Sequence, residues 1–222
     1  PRSVKETGIN VDYFDQSTKL EDDEKKLLQE WGINKEKKII LVPGRLTAWK
    51  GHEMFIQSLN LVKIELGYEA FHAVILGNDQ GRDSYKKKLM QLTEQYHLTN
   101  QIKFIDHCKD MALAYKISDI VISPSIEPEA FGRVAVEAQS MEKLIIASNI
   151  GGSNETIIDG KTGLLFEAGD PNSLSKRIIQ AVTLDESSYK RMGKEGRKNI
   201  AKKFNVEKMC FSTYSEYKRL LN

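Results

Sequence analysis

The sequence contains few of the residues that build metal centres or disulfide frameworks. Its 222 residues include only two cysteines, Cys108 and Cys210, and four histidines. Two cysteines cannot form a disulfide framework, and no histidine or cysteine stands at metal-ligand spacing from another. We therefore expect no bound metal and no cofactor, and a reducing, cytoplasmic setting.

Strong charge of one sign and long apolar runs are also absent. The 33 basic and 31 acidic residues give a net charge of +2, and 40% of the residues are hydrophobic. This near balance argues against a dedicated nucleic-acid binder, and local basic runs such as 86–88 are typical of solvated helix faces. No stretch approaches the ~18 consecutive apolar residues of a membrane-spanning helix. Because the chain begins with Pro1 instead of Met, we expect a piece of a longer protein.

Short apolar segments alternate with helical patterns of 10–16 residues through the middle of the chain. The candidate strands are 38–42, 71–76, 102–105, 119–122, 144–147 and 164–166. Strands separated by helices in this way indicate βαβ units. The sequence therefore predicts an α/β fold, a Rossmann-like parallel sheet of about six strands with helices on both faces.

Two glutamates, eight positions apart, flank a predicted strand-to-helix turn. Glu129 lies in the loop after the fourth strand, and Glu137 is expected about two turns along a helix that opens at Phe131-Gly132. Ligands of open α/β sheets bind beyond the carboxyl ends of the strands. The pair therefore predicts a ligand site at this edge.

A second loop at the same edge follows the first strand. Gly44 permits a sharp turn there, and Arg45 and Lys50 bring two cations to one side of the edge. The helix that starts near Gly51 adds its positive end, so the loop suits a phosphate or a diphosphate. Taken without the other segments, the loop is equally compatible with Arg45 and Lys50 being solvated side chains that bind nothing. Neither the Walker loop nor the GxGxxG fingerprint is present.

Other positions at this edge are open to two interpretations. Gly151 and Gly152 follow the fifth strand, where paired glycines allow either a close approach to a ligand or a tight connection to a helix. His107 lies just past the third strand and is a candidate contact for a bound base. Glu127 is expected to face solvent.

Taken in order, these segments resemble the donor-binding half of retaining glycosyltransferases of family four, also called group one. The matching segments are Gly44-Arg45-Leu46 with Lys50-Gly51, Leu76-Gly77, Ser123-Pro124-Ser125, Glu129-Ala130-Phe131-Gly132 with Glu137, Gly151-Gly152, and Asp159-Gly160 with Gly163. The likeness runs from about residue 8 to residue 204. The form between Glu129 and Glu137 looks like that of bacterial lipopolysaccharide-core and envelope-polysaccharide enzymes.

This resemblance implies a GT-B enzyme of two Rossmann-like domains facing each other across a cleft. Residues 1–20 would be the hinge segment, 21–204 the nucleotide-sugar domain, and 205–222 a helix that crosses to an amino-terminal domain outside this sequence. That other domain would bind a glycan or glycolipid acceptor, with peripheral contact at the inner face of the membrane. The apolar side chains expected to be exposed on the last helix are Met209, Phe211, Tyr214, Tyr217 and Leu220.

The resemblance also implies a role for each candidate residue. Arg45 and Lys50, in the loop that Gly44 opens, would hold the donor diphosphate. Glu129 would contact the transferred sugar, and Glu137 the ribose hydroxyls. The remaining donor contacts would come from the segment Ala130, Phe131, Gly132 and Arg133 through backbone amides, and from His107 beside the base.

Arg45, Lys50 and Glu129 would then act in the transfer itself, with retention of the anomeric configuration. An arginine at position 133 departs from the aliphatic residue more usual in the family. Two alternatives remain at this point: half of a non-hydrolysing nucleotide-sugar epimerase, and a non-catalytic nucleotide-binding or receiver-like α/β domain.

Overall fold

The predicted alternation of strands and helices is present in the computed structural model, which describes residues 8–18, 21–81 and 83–221. The strands in these ranges are β1 (Lys38–Pro43), β2 (Phe71–Leu76), β3 (Ile102–Ile105), β4 (Ile120–Ser123), β5 (Leu144–Ser148) and β6 (Leu164–Phe166). The helices are α1 (Glu21–Trp31), α2 (His52–Leu66), α3 (Asp83–Gln95), α4 (Met111–Ile117), α5 (Arg133–Ser140), α6 (Ser153–Thr156), α7 (Pro171–Val182), α8 (Glu186–Lys203) and α9 (Val206–Leu221).

All six strands are parallel and lie in the order β3-β2-β1-β4-β5-β6. The chain winds outward from β1 in one direction and from β4 in the other. The loops that leave the carboxyl ends of these two neighbouring strands therefore diverge and open a crevice between them. The predicted Rossmann-like parallel sheet of six strands is confirmed.

Helices cover both faces of the sheet, and each face has its own apolar core. Along β1, Ile39 and Leu41 point into the core that includes α4, α5 and α8, while Ile40 and Val42 point into the core that includes α2 and α7. Burial on both faces explains why this strand is apolar at consecutive positions, as is usual for central parallel strands.

The start of α5 differs from the prediction. Gly132 has a left-handed backbone conformation, with φ of +71°, and caps the helix, so the first helical residue is Arg133. Glu137 consequently lies about one turn into the helix, and the predicted two turns were wrong. The four-residue helix α6 and the short 3₁₀ turns at Gln16–Thr18 and Ala48–Lys50 were not predicted.

The start of the described chain packs against α8 and a residue that links α8 to α9. Ile9 forms a parallel bridge with Asn205, and the Arg197 side chain donates to the Phe14 carbonyl and pairs with Asp15. The hinge segment predicted for 1–20 also includes 1–7 and 19–20, which lie outside the described residues.

Helix α9 presents a row of aromatic side chains to solvent. Phe211, Tyr214 and Tyr217 are exposed as expected, Met209 is half-buried, and the side chain of Leu220 lies outside the described residues. Of the helices that the structure describes, none combines the length and the apolar character that crossing a bilayer requires.

Candidate functional site

Backbone contacts join the loops at the carboxyl edge of the sheet. The Gly44 amide donates to the carbonyl of Leu76 at 2.9 Å, and the Leu46 amide donates to that of Asn78 at 3.1 Å. These two bonds continue the pairing of β1 with β2 beyond the strand ends. The loop that carries Arg45 and Lys50 is thus tied to its neighbour at its start.

The far end of the same loop is tied to the loop after β4. The Ile126 amide donates to the Trp49 carbonyl at 2.8 Å. Gly51 has φ of +74°, and a Cβ atom there would lie 1.9 Å from the carbonyl oxygen of Pro124. Only glycine combines this backbone conformation with such a close approach. The two loops on either side of the crevice therefore have a fixed relative position.

Lys50 and Glu129 meet across the crevice. The Lys50 Nζ lies 2.8 Å from the Glu129 Oε1, although the two residues are 79 positions apart in the chain. Their side chains are only 13% and 17% exposed. Ser125 donates its hydroxyl to the same Oε1, and the Lys50 Nζ lies 4.4 Å from the centre of the Trp49 ring. This cation–π contact and the ion pair together fix the ammonium group.

The glycine pair after β5 supports the loop that carries Glu129. The Gly152 amide donates to the Glu129 carbonyl at 2.8 Å. Gly151 has φ of +57°, and a Cβ there would lie 2.6 Å from the Glu129 carbonyl oxygen. A Cβ on Gly152 would lie 2.7 Å from the carbonyl carbon of Phe131. The close approach that these glycines permit is therefore made to the Glu129–Phe131 backbone.

Glu137 is buried and hydrogen-bonded at both oxygens. The Tyr115 hydroxyl donates to its Oε2 at 2.8 Å, and the Arg133 Nη2 and Nε donate to its Oε1 at 2.9 and 3.2 Å. Burial raises the pKa of Glu137, while the bonds from Tyr115 and Arg133 act in the opposite direction. Burial is also the main cause that raises the pKa of Tyr115, followed by the charge of Glu137.

Tyr115 is a site residue that sequence reasoning missed. It lies in α4, 22 positions before Glu137, and its side chain is completely buried. In the sequence it reads as one more large member of the apolar pattern. A buried tyrosine hydroxyl needs a hydrogen-bond partner, but the sequence does not indicate which residue supplies it.

The start of α5 adds a further feature that favours an anion. The first amides of a helix have no intrahelical acceptor, and the helix dipole makes this end positive. Glu129 precedes this end by four residues, so Glu129 and the start of α5 lie in one loop, and Lys50 reaches them from the loop after β1. Ala130 is exposed, and Phe131 is half-buried with its ring centre 6.2 Å from that of Phe204.

Within the described ranges, the side chains of Arg45 and His107 make no hydrogen bond or ion pair with this cluster. Both side chains are exposed, and within the described ranges the structure gives neither of them an ion pair. His107 lines a cavity of about 420 Å³ together with Trp31, Cys108 and Leu113. Glu127 is exposed, as predicted.

His52 was predicted neither as a site residue nor as its support. It is the first residue of α2, directly after the loop that carries Lys50, and its ring is completely buried. Among the described residues, neither ring nitrogen finds a partner at hydrogen-bonding geometry, and the Tyr85 ring lies 6.3 Å away. Burial is the main cause that lowers the pKa of His52 to about 4; the Lys50 charge adds to this, and the Thr47 backbone opposes it. The imidazole is therefore neutral near pH 7.

Metal-ligating side chains do not converge anywhere in the described ranges. No three histidine, cysteine, aspartate or glutamate side chains lie close enough there to hold an ion. The expectation that no metal takes part stays a prediction.

Known proteins resemble the chain over nearly its whole length. A glycosyltransferase from Rickettsia africae superposes with a TM-score of 0.92 at 32% identity, over 97% of this chain and 56% of that one. The Anabaena protein Alr3699/HepE, solved in complex with UDP-glucose, gives 0.84 at 25% identity over 96% and 56%. The capsular polysaccharide biosynthesis glycosyltransferase CapM of Staphylococcus aureus is 27% identical over 96% of this chain and 53% of its own length.

The chain spans about half the length of the curated relatives it matches. This agrees with the expectation of one domain of a two-domain enzyme. The family model described as "Glycosyl transferases group 1" matches residues 23–199, which include β1 through β6 and every residue of the crevice described above. The resemblance drawn from the ordered motifs is thus confirmed, and the chain belongs to the group 1 glycosyl transferases.

Proposed function

We propose that the chain is the donor-binding half of a retaining glycosyltransferase, which moves a sugar from a nucleoside-diphosphate sugar to a glycan or glycolipid acceptor. The observation that carries this proposal is the pairing of Lys50 with Glu129 beside the start of α5. In a nucleotide sugar the transferred ring is bonded directly to the second phosphate. A cation and a carboxylate side by side match that arrangement, with Lys50 on the phosphate and Glu129 on the sugar hydroxyls.

The positive groups of the crevice suit the charge that develops during transfer. Breaking the bond between sugar and diphosphate leaves negative charge on the phosphate and positive charge on the sugar. Lys50, Arg45 and the first amides of α5 would stabilise the departing diphosphate without a metal. Removing one preorganised group of this kind typically costs about 3–4 kcal/mol of transition-state stabilisation.

The remaining donor contacts are assigned by position. Glu137 would accept hydrogen bonds from the ribose hydroxyls, and His107 would lie beside the base at the end of β3. Glu129 would help to select the sugar, since a site built to bond a hydroxyl discriminates against sugars that lack it. Among the residues that the structure describes, the Arg45 side chain makes no ion pair and no hydrogen bond, so we expect it to order when the diphosphate binds.

The acceptor, pathway and location are part of the same proposal. The capsular enzyme among the relatives supports a role in bacterial envelope polysaccharide or lipopolysaccharide synthesis. Residues 21–204 would form the donor domain, 1–20 the hinge, and α9 the contact to an amino-terminal domain that binds the acceptor. We propose that the whole enzyme works in the cytoplasm, at the inner face of the membrane.

Calorimetric titration of the chain with UDP, GDP and ADP tests donor binding. We expect weak binding of one of the three and no sugar transfer by the chain alone. Failure of all three to bind to folded protein, as judged by circular dichroism, would contradict the proposal.

The intact enzyme separates transfer from the alternatives. We expect transfer to depend on an acceptor, and NMR of the product should show the anomeric configuration of the donor. Interconversion of nucleotide sugars without an acceptor would instead indicate an epimerase. Binding without turnover of any nucleotide sugar would indicate a non-catalytic domain.

A further inference from the structure

The two oxygens of Glu137 have partners of different kinds. Oε2 is bonded by Tyr115, whose side chain is completely buried and whose ring lies edge-on to Phe14 with centres 6.0 Å apart. Oε1 is bonded by Arg133, whose side chain is 79% exposed. One oxygen is therefore held from the core and the other from the surface.

This difference in burial decides which bond a ligand can replace. If the Tyr115 hydroxyl lost Glu137, it would remain buried without a partner, which is costly, and Phe14 and the core prevent its ring from turning away. Arg133 loses less on leaving, since its side chain is 79% exposed and water solvates the freed guanidinium, while the arriving ligand hydroxyl takes over the bond to the buried Glu137 oxygen. A ligand hydroxyl can therefore compete for Oε1 and not for Oε2.

We propose that Arg133 occupies the ribose-binding oxygen of Glu137 until the donor displaces it, and that Tyr115 is the positioning residue that holds the carboxylate for this exchange. The inference rests on the proposed function, because it takes the ribose diol of a nucleoside diphosphate as the competing ligand. Arg133 then weakens recognition of the diol, and Tyr115 strengthens it. These opposite signs are what a purely structural role for both residues would not produce.

Two ligands that differ only in the diol isolate this effect. They are the nucleoside diphosphate that the chain binds most tightly among UDP, GDP and ADP, and its 2′,3′-dideoxy analogue. Arg133 also adds positive charge near the diphosphate, and its removal would weaken both ligands alike. The ratio of their two affinities cancels that contribution, because both carry the same diphosphate.

Calorimetric titration then gives an expected ratio for each variant. We expect the wild-type chain to prefer the ribose form by roughly tenfold or more. Arg133→Leu should raise this preference by roughly two- to fivefold, whereas Tyr115→Phe should reduce it by roughly tenfold. Glu137→Gln should bring the ratio towards one. Arg191→Leu removes an exposed arginine from α8 and is the matched control, with an unchanged ratio.

A second measurement follows Arg133 directly. Its Nε–H resonance should shift further when the ribose ligand binds than when the dideoxy analogue binds, because only the ribose ligand displaces it from Glu137; equal shifts for the two ligands at saturation would contradict the exchange. If Tyr115→Phe fails to fold, the ratios for Arg133→Leu and Glu137→Gln still decide the question. A ratio that falls or stays constant in Arg133→Leu overturns the inference while leaving the proposed function intact. Absence of binding by the folded wild-type chain overturns both.

Discussion

Replacing His52 by leucine should change how the stability of the protein depends on pH. The imidazole is completely buried beneath the loop that carries Lys50, and burial lowers its pKa from 6.5 to about 4. Leucine has a similar volume and never carries charge, so it removes the titration with little change in packing.

The sign follows from which state binds the proton. Between pH 6.5 and about 4 the unfolded chain binds a proton at His52 and the folded chain does not, so stability falls as the pH falls through this window. One unit of pKa difference corresponds to about 1.4 kcal/mol of stability. The full lowering of the His52 pKa therefore corresponds to about 3 kcal/mol, which is reached when the pH is below both pKa values. Between pH 7 and pH 4.5 the wild-type protein should lose roughly 2 to 3 kcal/mol relative to His52→Leu.

Urea unfolding of both proteins at pH 7, 6, 5 and 4.5 measures this difference. Other groups titrate in both proteins, and their contributions cancel when the two free energies are subtracted. His107→Leu removes an exposed imidazole and is the matched control. A wild-type-minus-variant difference that stays constant from pH 7 to 4.5 would refute the assignment of His52 as a buried neutral group.

Three further predictions concern the crevice. Lys50→Ala in the intact enzyme should lower turnover by at least about 100-fold, with the exposed Lys176→Ala as control; near-normal rates would end its assignment to the diphosphate. Gly51→Ala should lower the free energy of unfolding in urea by more than about 2 kcal/mol, because a backbone oxygen lies 1.9 Å from the new Cβ. Gly81 has the same left-handed backbone but open space around it, so Gly81→Ala is the control and should lower that free energy by less. Burial raises the pKa of Glu137, so the folded chain binds this proton more tightly than the unfolded one. Its contribution to stability therefore falls as pH rises above 4.5, and Glu137→Gln should gain stability relative to wild type between pH 4 and pH 7; a constant difference would contradict this.

That Lys50 and Glu129 lie at one edge of the sheet could be predicted, because it follows from topology. Alternating apolar strands and helices require a parallel sheet, and both residues lie in loops after carboxyl ends of strands. The sequence could not show that β1 and β4 are neighbours. Because they are, the two loops lie close enough for the Lys50 Nζ to reach the Glu129 Oε1 at 2.8 Å. The start of α5 was misplaced for a local reason. A glycine is compatible with both helical and left-handed backbone, and only the structure shows that Gly132 adopts the second.

Residues proposed to face the ligand and residues proposed to orient them differ in how well a sequence reveals them. Lys50 and Glu129 are charged residues in loops, where no core explains them, so they stand out. Tyr115 and His52 are buried in helices whose other buried residues are mostly apolar, so the hydrophobic pattern does not distinguish them from core residues. Yet a buried hydroxyl and a buried carboxylate both need hydrogen-bond partners. Tyr115 and Glu137 lie on two helices that cover the same face of the sheet, and each is the partner of the other. Pairing such groups between elements assigned to one face is therefore a way to find the residues that support a site, once the sheet order is known.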